Sequence, residues 1–175
     1  MNAIAVEKIK KEMMEYFGSD RKRIDHALNV LDYARRINSI EKADFLIVEA
    51  AALLHDIGIH AAEQKYRSAA GKYQEVEGPP IAKKILLKNA FTESDIDHIC
   101  AIIANHHSAK NIDTLEFRVI WDSDWLVNIP DEFDLTDKPA LRRLIEKIFK
   151  TAAGKEIAIT TFLNNTGNDI EKTKN

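Results

Sequence analysis

Apolar residues recur at steps of three and four along nearly the whole chain, and no stretch alternates as a half-buried strand would. The period predicts an all-α fold. Residues 3–17 read as a short amphipathic helix stopped by Gly18, Ser19 and Asp20. A second helix runs from about Arg21 to Asn38, with Val30, Ala34 and Ile37 on its apolar stripe. The third, from about Ala43 to Asp56, is almost wholly apolar around Phe45, Val48, Ala52 and Leu53, which makes it central. Gly58 is expected to end it, where left-handed backbone is favoured. Residues 59–78 show no clear period; such a stretch inside a compact domain is either a functional loop or an unrecognised short helix. Pro79 and Pro80 are expected to open a helix reaching about Asn89, because proline is tolerated in a first turn. Thr92 with Asp95 caps the next, which extends to about His107. Further helices are expected over Leu115–Asn128, stopped at Pro130, over Leu141–Lys150 and over Lys155–Leu163, with residues 164–175 a frayed polar tail. No internal repeat is visible, so the expectation is one helical domain over residues 1–163, its core between about 20 and 130.

Composition narrows the picture. A length of 175 residues with 45% hydrophobic and 30% charged residues suits one domain with a core of its own. The formal charge of -3 argues against binding duplex nucleic acid through its backbone. Cys100, the single cysteine, lies in an apolar run and reads as a small core residue. The N-terminal residues lack the continuous apolar segment of a signal peptide, and the most apolar window, Phe45–Leu54, contains Glu49 and is far short of a membrane span. A cytoplasmic protein without membrane partners is expected.

The chemistry lies in polar residues placed on the apolar stripes themselves. His26 extends the series through Val30 and Ile37; His55 completes Phe45, Val48 and Ala52; His106 and His107 complete Ile96, Ile99 and Ile103; Asp122 lies within Leu115, Val119, Leu126 and Ile129. Burying a polar group costs a few kcal/mol, and a lone carboxylate more, unless a donor or cation meets it. Taken singly each has an ordinary explanation. A core histidine can be merely hydrogen-bonded, and Arg118 is placed four residues before Asp122 to pair with it. Together, imidazoles and carboxylates aimed inward from several helices suit a divalent ion held in a bundle core.

His26, then Leu54-His55-Asp56-Ile57-Gly58, then Asp122 on a late helix resembles the HD-domain superfamily of metal-dependent phosphohydrolases, over roughly residues 20–130. The resemblance implies an all-α HD-type bundle in which His26, His55, Asp56 and Asp122 are the metal ligands, Asp56 also contacting the attacking water or bridging two ions. Members with two ions add an imidazole on the following helix and one or two histidines after it. His106 and His107 stand at the second of these places, and Glu77 is the nearest acidic residue to the first. The expected cofactor is one or two divalent transition-metal ions: Fe, Mn, Zn, Co or Ni. The cyclic-dinucleotide Gly-Tyr-Pro signature is absent after the histidine pair, where Ser108-Ala109-Lys110-Asn111 follow. Ile59 stands where the mononucleotide 5'-phosphatases carry a catalytic Glu.

The implied activity is hydrolysis of a phosphate monoester or diester, nucleotide-like or a small phosphorylated metabolite. Asp56 would orient water, and His107 or His106 would protonate the leaving group. Lys65, Arg67, Lys72 and Lys110 are candidates to meet phosphate charge. The rival readings are a di-iron oxygenase of the same superfamily, which Glu77 as a ligand would favour, and a non-catalytic metal- or nucleotide-sensing module. A homo-oligomer is compatible with all three. His98 reads as solvated and His60 as a residue near the mouth of the site. Asp25 and Asp124 neighbour the expected ligands but point elsewhere on their helices and read as surface residues or outer partners of the ligands, and Trp121 with Trp125 as a packing edge or a dimer contact.

Overall fold

A computed structural model describes residues 2–89 and 91–164. They form α1 Asn2–Phe17, α2 Arg21–Glu41, α3 Phe45–Leu54, α4 Ile59–Tyr66, α5 Gly71–Lys88, α6 Glu93–Ile103, α7 Leu115–Glu132, α8 Lys138–Ile148 and α9 Ala152–Ile159, with a π-helical turn at Thr160–Asn164. No strand occurs among the described residues. The tail expected from residue 164 lies, from 165 onward, outside them.

Helix α3 is the hub. Asp44 caps it, accepting from Leu46 N at 2.9 Å and Ile47 N at 3.1 Å, and residues Ile47 to Leu54 are all buried. Its one acidic residue, Glu49, is buried against the Arg35 guanidinium on α2, so the charge inside the apolar window is paired. Helix α2 packs along both α3 and α7, α1 covers α3, and α6 closes the other side, with α5 between α4 and α6. By length and composition Phe45–Tyr66 passes for a membrane span, but it folds as two helices around a turn and 78% of its apolar window is buried in the protein.

The region between 59 and 78 is not a loop: it contains α4 and the first half of α5. Pro79 and Pro80 accordingly sit inside α5 rather than at its start. An interior proline removes a backbone donor and costs about 3 kcal/mol; burial of Gln74, Gly78, Ala82, Ile85 and Leu86 along one face holds the helix together across them. Pro130 likewise fails to stop α7, which runs two residues further, to Glu132. Helix α6 ends at Ile103, not at His107, and the two histidines ride on the turns that follow.

Gly58 has an ordinary φ of -77°. What requires glycine there is proximity: a Cβ at that position would lie 2.6 Å from the Gln74 backbone oxygen and 2.6 Å from Gly78 N. The expected left-handed terminator is thus a crossing point, where the turn after α3 touches the backbone of α5.

Candidate metal centre

Three elements bring one side chain or more to a single point. Helix α2 supplies His26, the turn ending α3 supplies His55 and Asp56, and α7 supplies Asp124. His55 is fully buried, and its Nδ1–H donates to Ala52 O at 2.9 Å. A carbonyl can only accept, so that bond fixes the tautomer and leaves the Nε2 lone pair facing inward. His55 Nε2 lies 3.2 Å from His26 Nε2, 3.6 Å from Asp124 Oδ1 and 3.7 Å from Asp56 Oδ2. His26 Nε2 lies 3.0 Å from Asp124 Oδ1 and 3.6 Å from Asp56 Oδ2. Donors about 2.1 Å from a common ion stand roughly 3.0 Å apart in cis-octahedral and 3.4 Å apart in tetrahedral geometry. The spacing and the mix of imidazole nitrogen and carboxylate oxygen therefore fit a divalent transition metal.

A family model for the HD domain matches residues 23–136, most of the chain and all of these residues. The chain belongs to the HD domain family. It thereby joins a superfamily of metal-dependent hydrolases. A crystal structure of a predicted HD superfamily hydrolase from an uncultured Thermotogales bacterium shares the fold, with a TM-score of 0.66 at 24% identity, over 88% of this chain and 83% of that one. No curated protein matches the sequence.

Within this HD domain the late aspartate of the cluster is Asp124, not Asp122. Asp122 is wholly buried, as its stripe implies, but its carboxylate is spent on backbone: Oδ1 accepts from Lys150 N at 2.8 Å, and Oδ2 accepts from Thr151 N and Oγ1, each at 2.7 Å. It ties α7 to the start of α9, and burial, partly offset by those bonds, raises its pKa to about 6. Arg118 is no partner to it, forming instead a two-point pair with Asp113 at 2.8 and 2.6 Å. Two residues on, Asp124 points to the opposite side of the helix. Asn128, one turn later, donates to its Oδ1 at 3.0 Å and orients the carboxylate. The sequence held one sign of this: Trp121, Asp124, Trp125 and Asn128 form a half-polar stripe at helical spacing.

His106 and His107 do come to the site. With Asp56 they form a second group whose ligating atoms all lie within 4.8 Å of one another. His106 Nε2 is 3.4 Å from Asp56 Oδ1, and its Nδ1–H donates to Ile103 O at 2.6 Å. Glu77 does not join them: Lys65 Nζ at 2.7 Å and Tyr66 OH at 2.9 Å hold its carboxylate, so the feature that favoured oxygen chemistry is missing. His107 stands exposed at the rim of the cleft, and partial desolvation with neighbouring His106 holds its imidazole below the ordinary value.

None of the four expected phosphate contacts lines the cleft. Lys65 pairs with Glu77, Lys72 lies over Tyr73, Arg67 caps α4 in a left-handed conformation, and Lys110 stands in the exposed loop after α6. The cations on the cleft are Lys22 and Arg23, from the first turn of α2, bordering a space of about 270 Å³ that also reaches His26, Asp56, His107 and Asp124. Asp131 and Glu132 border the same space from α7. His60 is bound to Asp20 at 2.9 Å, and His98, expected to be solvated, is bound to Thr114 Oγ1 at 2.9 Å; neither joins the cluster.

Electrostatics explain why the cluster calls for a cation. Burial would push His55 down, but the carboxylates of Asp56 and Asp124 outweigh it and raise its pKa to about 9. Burial likewise opposes ionisation of Asp56 and Asp124, yet the facing imidazoles hold both far below the usual carboxylate range. The cluster thus favours positive charge at its centre, supplied by a proton on His55 or by an ion.

Proposed function

We propose that this HD domain is a metal-dependent phosphohydrolase acting on a small phosphate monoester or diester, with His26, His55, Asp56 and Asp124 as the ligands of its ion. The observation that supports this most is the pair of imidazole nitrogens of His26 and His55, 3.2 Å apart, each 3.0–3.7 Å from a carboxylate oxygen of Asp124 and one of Asp56, on a cleft bordered by Lys22 and Arg23. A divalent ion held there supplies a Lewis acid for a phosphoryl oxygen and lowers the pKa of a coordinated water. The chain's own residues do the rest. Lys22 and Arg23 attract and orient the phosphate, and Arg23 can release its long 3.8 Å pairing with Glu63 to do so. Asp56, between the two imidazole groups, accepts a hydrogen bond from the attacking water and aligns it. His107 stands on the cleft wall beside Asp56.

The test is hydrolysis of p-nitrophenyl phosphate and bis(p-nitrophenyl) phosphate by protein stripped with chelator and then restored with Mn²⁺. Turnover should appear only on restoration, and Asp56→Ala should reduce it at least a thousandfold. Equal turnover by the stripped protein, or by Asp56→Ala, would overturn the proposal.

A further inference from the structure

Both tryptophans of the chain stand at the edge of the core, beside the metal centre. Trp121 and Trp125 are half-buried and, with Asn128 and Glu132, border a space of about 180 Å³. His107, Asp124, Asn128 and Glu132 border both this space and the cleft of about 270 Å³, so the two adjoin. Trp121, Asp124, Trp125 and Asn128 follow one another at steps of three, one and three, which keeps them on one face of α7. The helix that aims a carboxylate at the ion therefore holds an indole next to it.

The two indoles differ in what they are free to do. Trp121 is committed to the fold: its Nε1–H donates to Ile148 O at 3.0 Å, and Lys150 Nζ lies 5.0 Å from its ring centre. Trp125 is wedged between Trp121 and Phe133, with 6.3 and 6.1 Å between ring centres and planes tilted by 57° and 45°. Neither neighbour stacks face to face on it. The ring is thus held from two sides, while the surface it turns to the space keeps no stacking partner. Tyr66 and Tyr73 lack that freedom, being stacked on each other at 4.2 Å with their planes 9° apart.

Size and polarity describe the occupant. A cavity of about 150 Å³ admits benzene, so this space takes one planar ring, tethered through its opening to the cleft. Asn128 spends an amide N–H on Asp124 Oδ1 at 3.0 Å. A carboxylate oxygen can only accept, so the amide oxygen is the end left over. Glu132 offers a carboxylate on the same wall. Both groups are acceptors, which suits a ring whose edge carries N–H donors and opposes one that carries negative charge.

We propose that the Trp125 pocket is the subsite for the organic part of the phosphate ester: a single planar ring bearing N–H donors stacks on Trp125 and is read by Asn128 and Glu132. This rests on the reading above, in which the phosphate sits at the ion with Lys22 and Arg23. Trp125 accordingly sets specificity and takes no part in bond cleavage.

Binding of non-hydrolysable phosphonates to the Mn²⁺-loaded protein tests this without reference to turnover. Calorimetry compares 3-phenylpropylphosphonate with its 3-cyclohexylpropyl counterpart, and with phenyl forms carrying a 4-amino or a 4-carboxy group. The wild type should bind the phenyl compound about tenfold more tightly than the cyclohexyl one. It should bind the amino form at least as tightly as the phenyl compound and the carboxy form about fivefold more weakly. Trp125→Leu should erase the preference for the flat ring and Trp125→Phe should keep most of it, while both bind Mn²⁺ and inorganic phosphate as the wild type does. Glu132→Gln should narrow the gap between the amino and carboxy forms. Equal binding of the phenyl and cyclohexyl compounds by the wild type, or a flat-ring preference that survives in Trp125→Leu, would overturn the subsite and leave the phosphate site standing. A dimer that dissociates in Trp125→Leu with that preference intact would overturn it in favour of a contact between copies. Failure of every phosphonate and of inorganic phosphate to bind would overturn the reading of the cleft and this inference with it.

Discussion

His55 gives the ion-free protein a pH dependence above neutrality. Its folded pKa of about 9 lies above the ordinary 6.5 of an imidazole. The stability this adds to ion-free protein is fully present below pH 6.5 and is lost as pH rises through about 9. The thermal midpoint in chelator should therefore fall between pH 6.5 and 9. Ion binding must displace the same proton, so affinity for Mn²⁺ should climb about tenfold per pH unit over that window. A flat midpoint together with pH-independent affinity would contradict the protonated state assigned to His55. At this scale the histidines were legible in the sequence, because an imidazole on an apolar stripe needs a partner whichever way it faces. The aspartates were not. Asp122 satisfied the same rule by burying its carboxylate on three donors from Lys150 and Thr151. Asp124 broke the stripe and looked exposed, because the cleft wall it faces is built from other helices.

Among the helices, periodicity located those that bury one face and missed those that do not. Helix α4 has only Ile59 and Ala62 buried. The first half of α5 buries Gln74 and Gly78, neither of them apolar in the usual sense, so no hydrophobic period announces it. The glycines that permit this packing also make it testable. Gly58→Ala forces a Cβ to 2.6 Å from two backbone atoms of α5, neither of which can rotate away. It should cost roughly 1–3 kcal/mol in denaturant unfolding. Gly18→Ala meets nothing within 4 Å and suffers only from its φ of +58°, a cost of about 1 kcal/mol. A Gly58→Ala protein as stable as the wild type would show that α5 does not cross the turn so closely.

The whole molecule is a helical HD domain that draws α2, the turn after α3 and α7 to one charged point, with α5 and the turns after α6 forming the adjoining wall. That the chain is all-α with a buried histidine–aspartate turn followed from the sequence. Which rim carries the cations did not: Lys22 and Arg23 reach the cleft because α2 begins beside it, whereas the lysines of the 59–78 region turn outward onto Tyr66 and Tyr73. The most direct test of the metal centre is the affinity for Mn²⁺ of Asp124→Asn set against that of Asp122→Asn. Asp124→Asn should weaken the tight ion by more than about a hundredfold, beyond the loss usual for an outer partner. Asp122→Asn should bind it as the wild type does while losing folding stability. Loss of the ion from Asp122→Asn with full retention by Asp124→Asn would contradict the centre described here.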